Sequence, residues 1–183
     1  MKFQLQKFKL PENFRGRSAL YVQLWWFVRC VFFRLSPQFL YGWRRFLLRC
    51  FGAKIGKKVL IRPTATITYP WKLTIGDYSW VGDDVVLYNL AEIVIGKNTI
   101  ISQRSYICTG SHDYTKKDFS IYAKTIIIED SCWLATDVFV SPGITIKEGT
   151  VVGSRSSVYK DLPEFCVCIG SPAKVIKPRK FEE

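Results

Sequence analysis

Ile75-Gly76-Asp77-Tyr78-Ser79-Trp80 and Val81-Gly82-Asp83-Asp84-Val85-Val86 open a stretch in which an aliphatic residue returns at every sixth position. It continues as Ile95-Gly96-Lys97-Asn98-Thr99-Ile100, Ile101-Ser102-Gln103-Arg104-Ser105-Tyr106 and Ile107-Cys108-Thr109-Gly110-Ser111-His112. After an interruption the same period resumes at Ile128, Leu134, Val140, Ile146, Val152 and Val158. A helix repeats every 3.6 residues and an amphipathic strand every two, so neither produces this pattern. A period of six predicts a parallel β-helix, in which each line covers one short strand and one tight corner. Three lines make a triangular coil whose leading aliphatics point inward and stack on those of the next coil. The fifth place of a line is usually small, as suits a corner that narrows.

Working outward, Ile55, Ile61 and Ile67 begin a first coil made irregular by Pro63, Pro70 and Trp71. The coils that follow are led by residues 75, 81 and 87, by 95, 101 and 107, by 128, 134 and 140, and by 146, 152 and 158. At the usual strand spacing, five coils make a prism about 24 Å long. Between Ile107 and Ile128 the chain carries fifteen residues beyond the period. Such an insertion predicts a loop ejected from the solenoid, the usual place for a binding site in a repeat protein. The expected organisation is an N-terminal segment over 1–54, a solenoid over 55–162 with a loop at 112–126, and a tail over 163–183.

The bulk composition agrees with a folded chain, with 48% hydrophobic and 23% charged residues. Six cysteines at 30, 50, 108, 132, 166 and 168 form no CxxC pair or disulfide ladder, which suits free thiols in a reducing cytosol. The charge is uneven. Residues 1–54 hold eleven Lys or Arg against one acid, Glu12, a net of +10 out of the total of +12. No nucleic-acid-binding motif accompanies this basicity. Residues 1–17 lack the apolar core and cleavage site of a secretory signal and read as an exposed tail, poorly ordered or strand-like.

Residues 19–33, ALYVQLWWFVRCVFF, are apolar and aromatic but too short and too polar to span a bilayer. Ser36-Pro37 reads as the N-cap and first position of a second helix running from about Gln38 to Cys50. On it Phe39, Trp43, Phe46, Leu47 and Cys50 share a face, with Arg44, Arg45 and Arg49 elsewhere. This hairpin is expected to cap the solenoid, whose first coil would otherwise expose core and unpaired edges. Its residues 19–50 also fit an amphipathic contact with a membrane surface.

His112 is the only histidine, and it stands at the mouth of the loop within Thr109-Gly110-Ser111-His112-Asp113. Together with the repeat, Phe51-Gly-Ala-Lys-Ile-Gly56, Tyr69-Pro-Trp-Lys-Leu73, Ile101-Ser-Gln103 and Gly170-Ser-Pro-Ala-Lys-Val-Ile176, it carries a resemblance over about residues 40–180. The sequence resembles the hexapeptide-repeat O-acetyltransferases of maltose and galactosides, in particular the colanic acid biosynthesis acetyltransferases of polysaccharide gene clusters. The resemblance implies a left-handed β-helix, a homotrimer, acetyl-CoA as co-substrate, a sugar hydroxyl as acceptor and no metal. It implies that His112 is the general base, a role that suits an imidazole with an ordinary pKa near 6.5. Family contacts to the donor fall on Ala135, Thr136, Ser154, Tyr159 and Lys177, with Lys174 and Arg179 as further cations for phosphate. Acceptor positions fall near Asp83, Asp84 and Asn89, with Asp113 beside the base. The family's own acceptor residues align poorly there, with Gly82 and Leu90, so a changed sugar pocket is expected.

Two other enzymes on this solenoid fit less well. A carbonic anhydrase of this fold needs three histidines on zinc, and a serine acetyltransferase carries a second catalytic histidine and a longer helical domain. A non-catalytic scaffold would have no reason to interrupt its third coil. An acceptor other than a sugar stays open at this point. The expected location is the cytoplasm, with peripheral contact at the inner face of the membrane.

Overall fold

The computed structural model describes residues 2–180. Met1 and 181–183, the outer ends of the expected 1–54 and 163–183 segments, lie outside the described residues. The six-residue period becomes three parallel sheets wrapped around one core. One face stacks the strands led by Ile55, Ile75, Ile95, Ile128 and Ile146. The second stacks those of Ile61, Val81, Ile101, Leu134 and Val152. The third stacks those of Ile67, Leu87, Ile107, Val140 and Val158. Every one of these aliphatics is buried.

The corners explain the rest of the line. Tyr78, Asp84, Asn98, Arg104, Ser131, Asp137 and Arg155, each three places after an inward aliphatic, take φ between 52 and 61°. That is the left-handed region, which side chains enter only where the surrounding coil dictates it. In five lines glycine stands directly after the aliphatic, at 56, 76, 82, 96 and 153. A Cβ on Gly76 would lie 2.6 Å from the backbone of Gly96 and Lys97 one coil on, so stacked coils leave no room for a side chain. At the fifth place, buried hydroxyls join coil to coil: Ser79 donates to the Gly96 carbonyl at 2.6 Å, and Thr99 to that of Glu129 at 2.8 Å.

The prism runs past the fifth coil. Leu162 pairs with Ile146, and Cys166–Gly170 adds a parallel strand to the second face beside Val151 and Val152. Ala173–Pro178 then turns back antiparallel, so the solenoid has about six turns and continues into the expected tail.

At the other end sit α1 (Ala19–Val28), continued by a wider helical turn over Arg29–Phe33, and α2 (Tyr41–Cys50). Ser18 caps α1 by accepting from the Tyr21 N–H at 3.3 Å. The expected Ser36 cap of α2 is not formed. Ser36 donates to Phe33 O at 2.6 Å and accepts from Arg44, closing the first helix instead. The hairpin is a cap in a literal sense, because it satisfies the edge carbonyls of the first coil. Arg49 donates to Ile55 O, Arg45 to Val59 O, Arg44 to Ile61 O and the Trp25 indole to Ile67 O. Thus α2 turns its arginines together with Leu47 and Leu48 to the solenoid, and its aromatic residues away from it. Phe39, Trp43 and Phe46 are left exposed.

The corner between the third and first faces is the long one. Each of the first two coils inserts two extra residues there, and the third ejects the loop at the same place. Asn89 braces this corner from within. Its Oδ1 accepts from the N–H of Thr68 and Tyr69, and its Nδ2 donates to the carbonyls of Tyr69 and Lys72. Residues 2–18 are not a loose tail. They run along this corner: Trp71 Nε1 donates to Arg15 O at 2.7 Å, and Gln4 N–H to Lys117 O at 2.8 Å.

Candidate active site

The ejected segment is a β-ribbon, not an irregular loop. Gly110–His112 pairs antiparallel with Ile121–Ala123, setting His112 opposite Ile121. Where the ribbon leaves the coil, Gly110 packs closely on Leu90, whose side chain a Cβ there would meet at 2.6 Å. Across the ribbon tip, Nδ1 of His112 lies 2.7 Å from the carbonyl oxygen of Phe119. A carbonyl only accepts, so Nδ1 carries the proton and Nε2 keeps the lone pair. The Phe119 ring stacks on the imidazole at 4.3 Å and 8°, while Phe119 itself holds φ at +51°. A bulky residue in that region is a strained one, held by its surroundings. Those surroundings include the N-terminal segment. Phe3 packs edge-on to Phe119 at 5.0 Å, and Phe8 lies tilted against His112 at 5.9 Å.

Asp113 is turned away from the imidazole. Its Oδ1 accepts from the Thr115 hydroxyl at 2.6 Å and the Thr115 N–H at 3.0 Å. These bonds, with Lys116 near, hold its carboxyl below the usual carboxylate range. The tautomer is therefore set by the Phe119 carbonyl.

Five of the other expected site residues, Asp83, Asp84, Ala135, Thr136 and Ser154, collect at a different corner, between the second and third faces. There Asp83 and Asp84 line a cavity of about 780 Å³ with Tyr41, Arg62, Trp80 and Trp133, and His112 is not among its walls. Asp83 is engaged by Arg62 Nε at 2.8 Å and the Thr64 hydroxyl at 3.1 Å. Ala135, Thr136 and Ser154 continue the same corner in the fourth and fifth coils, where the Arg155 N–H donates to Thr136 O. Ala135 is buried and Ser154 exposed. Between them Arg104 clamps Asp137 at 2.8 and 3.0 Å and holds its carboxyl low.

Tyr159 is exposed one face further round, with its ring 5.9 Å from that of Phe139. Lys174 and Lys177 stand exposed on the last, antiparallel strand. Arg179 is occupied differently from the expectation. Its Nη1 donates to the corner carbonyls of Ser131 at 2.7 Å and Gly149 at 2.9 Å. Asn89 is also reassigned: it is fully buried with all four amide hydrogen-bonding positions used, leaving no atom for a ligand.

Trp80, Trp133 and Phe8 escaped the sequence reading. The two tryptophans had a signal, since each is a large aromatic at the outward sixth place of its line. Phe8 had none, because only the fold brings residue 8 to residue 112.

No family model matches the chain. Over 175 residues, and 96% of each chain, it is 62% identical to a protein of Escherichia coli (strain K12) named "Putative colanic acid biosynthesis acetyltransferase WcaF". Its fold is similar to the crystal structure of a maltose O-acetyltransferase from Clostridium difficile 630, with a TM-score of 0.81 and 25% identity over 90% of each chain. It is also similar to a hexapeptide-repeat acetyltransferase of Vibrio cholerae O1 biovar eltor complexed with acetyl coenzyme A. There the TM-score is 0.80 at 25% identity, over 91% of this chain and 92% of that one.

Proposed function

Because the chain belongs to the family of the colanic acid biosynthesis acetyltransferases, within the hexapeptide-repeat acetyltransferases, we propose that it transfers acetyl from acetyl-CoA to a sugar hydroxyl. The observation that carries the mechanism is the bond from His112 Nδ1–H to the Phe119 carbonyl, which leaves Nε2 as the base. A sugar hydroxyl is too weak an acid to ionise beforehand, so Nε2 takes its proton as the oxygen attacks the thioester carbonyl. The tetrahedral adduct collapses by expelling the CoA thiolate, and the imidazolium returns the proton to that sulfur. The stacked Phe119 ring keeps the imidazole in one plane throughout.

The donor's pantetheine arm would lie along the Ala135, Thr136 and Ser154 corner, with Lys174 and Lys177 toward its phosphates and Tyr159 near the nucleotide. Asp83 and Asp84 are the acceptor-binding candidates, with the indoles of Trp80 and Trp133 close by. The base and this corner sit on different edges of one prism. We infer a homotrimer, in which the ribbon of one copy closes the cavity of the next. The role is decoration of an exopolysaccharide or capsule repeat unit in the cytoplasm, with residues 19–50 as the segment facing the inner membrane surface. The test is CoA thiol release over a panel of free, nucleotide-linked and lipid-linked sugars, with product mass recorded. Release with none of them, in a trimeric and folded preparation, would remove the reading.

A further inference from the structure

We propose that the hairpin end of the prism is a docking surface for an anionic lipid membrane. The proposal deepens the membrane-facing reading of residues 19–50 given above and does not use the acetyl transfer. It rests on the aromatic side chains that the hairpin leaves outward. An amphipathic helix against a protein core normally buries its apolar face. Here the side carrying Leu47, Leu48 and the three arginines meets the solenoid, and the aromatic residues Trp43 and Phe46 are left outward. Phe39 is 77% exposed, Leu35 75%, Phe27 58% and Phe46 54%.

Four of the hairpin's aromatic residues are linked to one another. Phe27 packs on Phe32 at 6.2 Å and Trp43 on Phe46 at 5.8 Å, and the Trp43 indole donates to Phe32 O at 2.9 Å, joining the two halves of the hairpin. Exposed apolar patches rimmed by polar groups mark protein or membrane contacts.

Charge selects between those occupants. Residues 19–50 contain five arginines and no acid. Arg44, Arg45 and Arg49 are bonded to carbonyl oxygens, not carboxylates, so capping leaves their charge uncompensated. Arg34 is exposed at the turn. A second copy docking end to end would bring two such surfaces together with no acid to meet them. An anionic leaflet supplies the missing charge, and aromatic rings favour its headgroup boundary. Neither helix is long and apolar enough to cross a membrane, so the contact is with the surface. In a trimer, three such ends would act together.

The experiment is co-sedimentation of the full chain with phosphatidylglycerol-rich or pure phosphatidylcholine vesicles, at low and high salt. Binding is expected to phosphatidylglycerol vesicles at low salt, weakening about tenfold at high salt as the Debye length shrinks. The double variant Phe39→Ser/Phe46→Ser should bind at least tenfold more weakly, and Arg34→Glu should also weaken binding. Both should melt like the parent and keep CoA release on a soluble sugar acceptor. A parent that stays in the supernatant with phosphatidylglycerol vesicles overturns the proposal. So does equal binding to phosphatidylcholine. Self-association abolished by the double variant, without vesicle binding, would assign the patch to a second copy and overturn it too. Loss of acetyl transfer with vesicle binding intact would strike the reaction alone.

Discussion

The imidazole of His112 and the residue Phe119 are joined twice, through a 2.7 Å contact from Nδ1 to the carbonyl oxygen and through rings stacked at 4.3 Å. The two contacts act on different degrees of freedom. The hydrogen bond sets which nitrogen carries the proton, and the stack sets the plane of the ring. A base held in both respects loses little entropy on reaching the transition state.

Replacing His112 by Ala should therefore leave the solenoid and trimer unchanged and lower kcat by about two orders of magnitude or more. KM for acetyl-CoA should move little. Steady-state kinetics with both substrates varied separate these outcomes, and an unchanged kcat would return His112 to an ordinary ribbon residue.

Phe8 leans on the imidazole from the N-terminal segment. Its removal should be felt by the acceptor more than by the donor. An aromatic contact of about 1 kcal/mol corresponds to about fivefold, so Phe8→Ala should raise the acceptor KM by about that factor. The acetyl-CoA KM should stay level. A change in the donor KM alone would contradict this assignment.

Arg44 is fully buried and donates to Ile61 O, Ser36 Oγ, Pro37 O and Gln38 O. Burial lowers its pKa from the ordinary guanidinium value. Arg44→Met would leave buried acceptors unpaired and should cost about 3 kcal/mol or more in urea unfolding. Arg34→Ala, at the exposed turn, should stay within about 0.5 kcal/mol.

The buried thiols give the fold an alkaline limit. Burial pushes Cys132 up to about 11 and Cys168 up to about 12. An unfolded thiol ionises near 8.5, so above that pH the unfolded chain releases protons that the folded chain keeps. This contribution to stability is full below about pH 8.5 and is lost as pH rises toward 11–12. Melting temperatures from pH 8 to 10.5 should fall, and less steeply in Cys132→Val. Cys132 should also resist thiol reagents in the folded protein while exposed Cys30 reacts.

Much of the fold was legible because a six-residue period is local: each line names its own inward aliphatic, most name a small corner residue, and five name a glycine directly after the aliphatic. The same locality placed His112 in an insertion, since fifteen extra residues in a strict repeat can only leave the coil. The capping hairpin was legible as a need, because an open solenoid end has unpaired carbonyls. What only the tertiary structure decided were relations between lines distant in sequence. Amphipathic pattern cannot say that guanidinium groups will face the solenoid, because that depends on which carbonyls the first coil leaves open. Asn89 reads as a candidate ligand until the fold surrounds it with four backbone partners. Phe8 reads as part of a tail until the long corner carries it to His112. Period belongs to the chain, but a hydrogen-bond partner belongs to whatever the folded neighbours leave unsatisfied.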